Sequence, residues 1–498
     1  MPAPLLSKSR FLTGLQCPKQ LWWRVHEPDA PELQPDDNTR ILRERGAEVG
    51  VAARRHVPGG VLIIGEAREG PQKVARTRKA IEEGATLLYE ATFEHQGVIA
   101  SIDILERTPT GFRLTEVKST VEVKPEHLPD ITVQTWVTRG AGLPVVESHL
   151  MHLNRECRAP DLSNLFARAD QTAPVSAELP VIPAEAARLL QVIDGPLPEV
   201  PIGDHCDTPF ECPFKSRCWP VLPEHHIETL PRLSPKKREA LKALNIATIE
   251  EIPRDFVLTD TQERQRQAVV QGKMLIDPAL ARVVKTYWGA RTAFLDFETV
   301  SPAIPIWDGT GPYAQVGAQF SCHVAGARAH GRTDALEHFE WIATTLEDPR
   351  LAFAEAVIEA CRGCDIIVAF NASFERSRLE ALAGALPAHR EALMDIVRRI
   401  KDLADPIRRG LIYHPNFYGS FSLKKVVPAL IPELAYDDLE VADGTTASNQ
   451  LLALMQGEPP AGTPEAERVT RALLEYCKRD TLVMVRLLEK LGELAAQA

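Results

Sequence analysis

Apolar and polar positions divide the chain into three blocks. In the first, residues 1–225, apolar side chains recur at helical spacing over 41–53 and 72–83, and strand-like runs cover 87–93, 97–105 and 111–117. The last two runs read as a hairpin. G-V-I-A-S-I-D-I-L-E is an apolar strand, Thr108-Pro109-Thr110-Gly111 marks a turn, and F-R-L-T-E-V-K-S alternates as a half-buried strand does. Residues 169–181 read as a loop or linker, and the block closes in a Pro- and Cys-rich stretch, 201–223. The second block, 226–285, is short and helical. It predicts two helices turning at Leu244-Asn245-Ile246, with Thr248 and Glu251 spaced as a capping box. The third block, 286–498, opens with a strand over 292–297 and ends in a helix over 464–493. No repeat of 20–50 residues is present.

Length agrees with several cores: 498 residues suffice for two to four domains at roughly 100–200 residues each. With 44% hydrophobic and 25% charged residues, a soluble globular chain is expected, not a disordered one, and its mixture of helical and strand-like runs reads as α/β. The net charge of −11 excludes a globally basic nucleic-acid binder, while leaving room for a local basic groove and for sites built from carboxylates. No apolar run reaches about 18 residues, so no membrane partner is expected. The first residues lack the apolar segment of a secretory signal, which predicts a cytoplasmic protein. There, the nine cysteines are expected as metal ligands or buried thiols.

Three constellations carry chemistry. The first hairpin brings Asp103 towards Glu116, and Lys118 shares the face of Glu116 two residues on. Two carboxylates can hold Mg²⁺ or Mn²⁺ through hard oxygens, and the lysine can orient water or stabilise charge on a phosphate. Taken alone, the same spacing also describes a surface hairpin with a salt bridge. The second constellation is Cys206, Cys212 and Cys218, each separated by five residues, with Cys17 far upstream. Four thiolates can hold Zn²⁺ or a 4Fe–4S cluster, and the two-to-four-residue knuckles that zinc favours are missing from this set. Cys361 and Cys364 form a CxxC in a helical stretch, expected as buried packing.

The third constellation lies in the last block. A-F-L-D-F-E-T ends an apolar strand in Asp296 and Glu298, on one face; D-I-I-V-A-F-N-A-S-F-E runs into Asn371 and Glu375; Tyr476 and Asp480 stand at i, i+4 on the last helix. Four carboxylates gathered from such places can bind two metals, with the tyrosine positioning the attacking water. Asp402 is an alternative acidic ligand, and Lys424 and Lys425 either meet a nucleic-acid backbone or form a solvated basic turn. Lys236, Lys237, Arg238 and Lys242 give the middle block positive charge.

Each constellation resembles a known family. Asp103 and Glu116-x-Lys118 look like the PD-(D/E)xK nuclease core. The resemblance implies a catalytic Gln134 on the following helix, although Thr138 replaces the usual aromatic residue and Trp136 lies nearer. It also implies an upstream ligand, for which Glu44 or Glu48 is offered while Gly50 takes the place of a histidine; Glu90 is the substitute metal ligand. The one-plus-three cysteine spread resembles the 4Fe–4S site of CRISPR-associated and AddB-like RecB-type nucleases. The acidic set of the last block resembles the DEDD exonucleases of the ribonuclease H-like fold, DnaQ-type, with Glu375 where that family has Asp. The middle block resembles a helix-hairpin-helix-like module. Jointly, these runs are similar to a bacterial family of uncharacterised proteins in which a RecB-type nuclease domain is fused to a ribonuclease H-like domain. The implied function is metal-dependent hydrolysis of DNA, at single strands or ends, with RNA as the other candidate substrate. The alternative is a nucleic-acid-binding or scaffold protein of repair or defence with one or both sites inactive.

Overall fold

The computed structural model describes residues 5–66, 69–326, 336–436, 438–441 and 443–497. It is a mixed α/β protein whose chain forms two compact units. One comprises the residues up to Pro220 together with Ala303–Tyr313; the other comprises Val221–Pro302 and Ala314 onwards. The helical block expected at 226–285 is thus part of the second unit. Residues 303–313 leave the expected 286–498 block for the first unit because their partners lie there. Ala303 packs in the cluster of Val49 and Ala53, Tyr313 donates its hydroxyl to the Ser119 carbonyl, and the Thr310 carbonyl accepts the Ala159 N–H.

The first unit is organised on a mixed sheet of β1 (Leu6–Ser7), β2 (Val61–Leu62), β3 (Leu87–His95), β4 (Val98–Thr108), β5 (Gly111–Lys118), β6 (Val145–Leu153) and β7 (Phe166–Asp170). The order is β2-β3-β4-β5-β6-β7, with β1 parallel to β4. β3, β4 and β5 are antiparallel neighbours, and β5 and β6 are parallel, joined through the helix His127–Gly140. One face packs the helices Lys8–Gln16, His127–Gly140 and Ile182–Asp194 around Phe11, Ile131, Val137 and Leu189. The helix Asp37–His56 contributes Val49 and Ala53 to a second, smaller cluster. The stretch 169–181, expected as a loop, instead ends β7 and forms the helix Thr172–Glu178, because Val175 is buried in the main core.

In the second unit, β8 (Leu275–Ile276) pairs with β14 (Ile412–Tyr413). The main sheet contains β9 (Thr292–Val300), β10 (Val316–Ala325), β11 (Leu336–Ile342), β12 (Ile366–Ala369) and β13 (Ile400–Asp402), in the order β11-β10-β9-β12-β13. β9 is central and apolar on both faces, as a strand covered on both sides must be. Leu295 and Phe297 pack towards Phe353 and Leu379, while Phe294 packs towards Val483 and Leu487 of the helix Pro464–Gln497. In the expected helical pair, Pro235–Ala243 is a helix and the Thr248/Glu251 capping box is present. The second member is only a 3₁₀ turn, Ile249–Glu251, which Pro253 stops. Among the described residues, no helix is long and apolar enough to cross a membrane.

Candidate functional sites

The first site forms where β4 and β5 part. Their pairing runs from Thr108↔Gly111 to Ile104↔Thr115; the Asp103 carboxylate then takes the next backbone donor, the Val117 N–H, at 2.7 Å. Glu116 is buried. Its Oε1 accepts from Lys118 Nζ at 2.8 Å and from Lys8 Nζ at 2.8 Å, and its Oε2 accepts from the Gln134 amide at 2.7 Å. Both lysines also pair with Asp130, and the Gln134 amide donates to Asp130 Oδ1 at 3.0 Å. Asp130 and Gln134 stand at i, i+4 on the helix His127–Gly140, so one face aims both at Glu116.

Electrostatics split the two hairpin acids. Burial alone would raise the Glu116 carboxyl, but Lys8 and Lys118 outweigh it and hold the group below the carboxylate range. Burial and the neighbouring Glu116 push Asp103 up, against Lys8 and the Val117 N–H. Glu90, Asp103 and Glu116 line a cavity of about 430 Å³, together with Gly46, Gly50 and Arg54. Glu90 faces Asp103 in the β3–β4 register, between the pairs Tyr89↔Ile104 and Ala91↔Ile102, and has a left-handed backbone, φ 57°. It is ion-paired with Arg54 at 3.6 Å. A Cβ at Gly50 would meet only the Arg54 guanidinium within 4 Å, so there is room at this point of the wall but no ligand side chain. Glu44 is exposed and pairs with Arg40, and neither Glu44 nor Glu48 lines the cavity.

Cys17, Cys206, Cys212 and Cys218 line one small cavity with Trp23 and Phe214. Cys17 is the C-cap of the helix Lys8–Gln16, and Gln16 donates to the carbonyls of His205 (2.8 Å) and Phe210 (2.6 Å), tying the N-terminal segment to the cysteine loop. Arg217 bridges the same segments through Glu27 and Glu32. Burial raises the Cys17 and Cys212 thiols, and the neighbouring thiols add to the shift. Cys361 and Cys364 are buried beside Cys322 in the second unit's core.

The second site lies on β9. β10 pairs along the whole strand, whereas β12 pairs only with Thr292–Phe294. Asp296 and Glu298 therefore extend past the end of the β12 pairing, on the same face as Phe294 and towards the last helix. Asp480 meets them there. Among the described residues, Asp296, Glu298 and Asp480 are the one set of three or more Asp, Glu, His or Cys side chains whose ligand atoms all lie within 4.8 Å of one another. Glu375, in the first turn of the helix Ser373–Ala385, is 2% exposed, and its Oε2 has no hydrogen-bond partner. Tyr436 donates its hydroxyl to Asp480 Oδ1 at 2.5 Å, Tyr476 bonds the same carboxylate, and the Cys477 thiol lies 3.5 Å from Asp296 Oδ2. Lys424 Nζ lies 5.4 Å from the Tyr476 ring centre and 5.9 Å from that of Tyr436.

Here the acids raise one another. Burial, then the Asp480 charge, pushes Glu298 up to about 8; burial, then Asp402, pushes Glu375 up to about 8; burial raises Asp480 to about 6 against Tyr436 and Lys424. Asp296 is raised by burial and by Asp480, Glu298 and Glu375. Asp402 is not in this set. Its Oδ1 accepts the Asn371 and Ala404 N–H groups at 3.0 Å each, and its Oδ2 pairs with Arg408 at 3.0 Å, so it shapes the end of β13. Lys425 is exposed, while Lys424 turns inward.

Sequence reasoning missed Lys8, Asp130 and Tyr436. Asp130 had a signal, a carboxylate four residues before Gln134 on a predicted helix. Lys8 had none, since its approach depends on β1 lying beside β4.

Residues 293–422 match a family described as a domain of unknown function, DUF2779. That match includes Asp296, Glu298 and Glu375 and ends before Tyr476 and Asp480. The chain is 23% identical over 224 residues to the uncharacterized protein MG366 homolog of Mycoplasma pneumoniae, and 25% identical over 225 residues to the uncharacterized protein MG366 of Mycoplasma genitalium. Each alignment covers 42% of this chain and 33% of the relative, so the chain spans about a third of the length of these relatives. A crystal structure titled SSO0001 is similar at 11% identity over 43% of this chain and 84% of that one, with a TM-score of 0.20, too low to carry an argument.

Proposed function

We propose that the chain is a metal-dependent nuclease with two hydrolytic sites, a RecB-type PD-(D/E)xK unit and a ribonuclease H-like DEDD unit, acting on DNA single strands or ends. One observation carries the reading: Asp296, Glu298 and Asp480 gather their oxygens within 4.8 Å, beside a buried Glu375 oxygen that lacks a partner. Such a set of hard, mutually repelling oxygens fits Mg²⁺ or Mn²⁺. Bound there, the ion would supply an activated water and offset negative charge developing on the phosphate. The chain's own residues do the rest. Tyr436 and Tyr476 fix the Asp480 carboxylate, and Lys424 brings a positive charge to the acids. In the first unit, Asp103, Glu116 and Glu90 would hold an ion from the cavity wall, with Lys118 beside the scissile phosphate and Gln134 orienting Glu116.

The four thiols fit a group larger than one zinc ion. Zinc at about 2.3 Å from each sulfur requires sulfurs about 4 Å apart, and no three of these cysteines come within 4.8 Å of one another among the described residues. A 4Fe–4S cluster spaces its ligands more widely, and Trp23 and Phe214 shield the cavity. On this reading its role is to hold the N-terminal helices to the cysteine loop. Anaerobically purified protein should contain iron and acid-labile sulfide, lost in Cys206→Ser.

The decisive experiment is cleavage of end-labelled DNA and RNA strands with Mn²⁺ or Mg²⁺. Asp103→Ala and Asp296→Ala should each remove one part of the activity. A second reading, an inactive scaffold in the first unit, is favoured by the absent Gly50 ligand and the paired state of Glu116. Tight DNA binding with no cleavage assignable to Asp103 would support it.

A further inference from the structure

Lys8 is the side chain that neither the sequence pattern nor the proposed chemistry accounts for. Its ammonium is 2.8 Å from Glu116 Oε1 and 3.1 Å from Asp130 Oδ1, the same two carboxylates that hold Lys118. Two buried acids are thus matched by two ammonium groups, with the Gln134 amide closing the arrangement. Removing either lysine leaves one ammonium group to balance both buried carboxylates.

Lys8 is also held firmly. Its helix begins immediately after β1, where Leu6 and Ser7 pair with Val98 and Ile99. Ser7 caps the helix by accepting the Arg10 N–H, and Leu6 and Phe11 are fully buried. At the far end, Gln16 is bonded to two carbonyls of the cysteine loop and Cys17 lines the thiol cavity. A long, flexible lysine gains a fixed position only from a backbone fixed at both ends.

We propose that Lys8 is a positioning residue of the first site: it shares Glu116 and Asp130 with Lys118, so that Lys118 is held between the two carboxylates without having to balance both buried charges alone. The same ammonium opposes a divalent ion at Glu116, so the site trades metal affinity for an ordered lysine. This rests on the nuclease reading of the first unit.

The test uses the full chain carrying Asp296→Asn, which silences the second site. Mn²⁺ binding is followed by electron paramagnetic resonance, and strand cleavage in parallel. Lys8→Met should bind Mn²⁺ about tenfold more tightly while turnover falls about a hundredfold; Lys8→Arg, which keeps the charge, should restore turnover to within a few-fold. Unchanged Mn²⁺ affinity and turnover in Lys8→Met, or a loss of thermal stability alone, would overturn the role of Lys8. No Mn²⁺ binding and no cleavage in the Asp296→Asn parent would instead overturn the nuclease reading of this unit.

Discussion

In the first unit two ammonium groups lie 2.8 Å from one Glu116 oxygen, and that carboxyl is held below its ordinary range. In the second unit three carboxylates crowd together with a fourth nearby, and Glu298 and Glu375 are pushed up to about 8. Both sets draw acids from a strand and a following helix. The difference lies in who balances the charge. The first site carries its own counter-ions; the second has too few, and a divalent ion would relieve its repulsion. A common acidic vocabulary can thus yield one site in which an acid pair, Glu116 and Asp130, is matched by its own ammonium groups and one whose acids are left to repel one another.

This contrast can be broken in order of effect. Glu116→Gln leaves two buried ammonium groups with Asp130 alone and should destabilise the first unit by about 3–5 kcal/mol, read by calorimetry. Asp480→Asn should lower trimming of strand ends by about a hundred- to a thousandfold, while cleavage dependent on Asp103 persists. Glu298→Gln should have the opposite sign to Glu116→Gln, stabilising the metal-free second unit by about 1 kcal/mol at neutral pH. The pH dependence follows from the same cause. With Glu298 raised from 4.5 to about 8, the native state binds more protons than the unfolded chain across that window. Metal-free stability should therefore fall as pH rises from about 4.5 to about 8, and Mn²⁺ should restore more of it at the alkaline end. The smallest effect is Lys424→Met, which should tighten Mn²⁺ binding by about threefold, measured by calorimetric titration.

Much of this was legible because it is local. The β9 alternation put Asp296 and Glu298 on one face, helical spacing put Tyr476 beside Asp480, and the turn at Thr108–Gly111 brought Asp103 to Glu116. What stayed hidden depends on topology or on tertiary competition. Lys8 reaches Glu116 across 108 residues only because β1 pairs with β4. Tyr436 reaches Asp480 from a loop with no periodic signal. Asp402 had the right charge, but backbone donors and Arg408 occupy it. The stretch 169–181 looked like a linker because its composition is mild, yet Val175 is enough to seat a short helix on the core.

The central claim is most directly tested by anomalous diffraction from crystals soaked in Mn²⁺. The account predicts a peak within coordination distance of Asp296, Glu298 and Asp480, abolished in Asp480→Asn. Well-ordered carboxylates at full Mn²⁺ loading with no peak between them would contradict it.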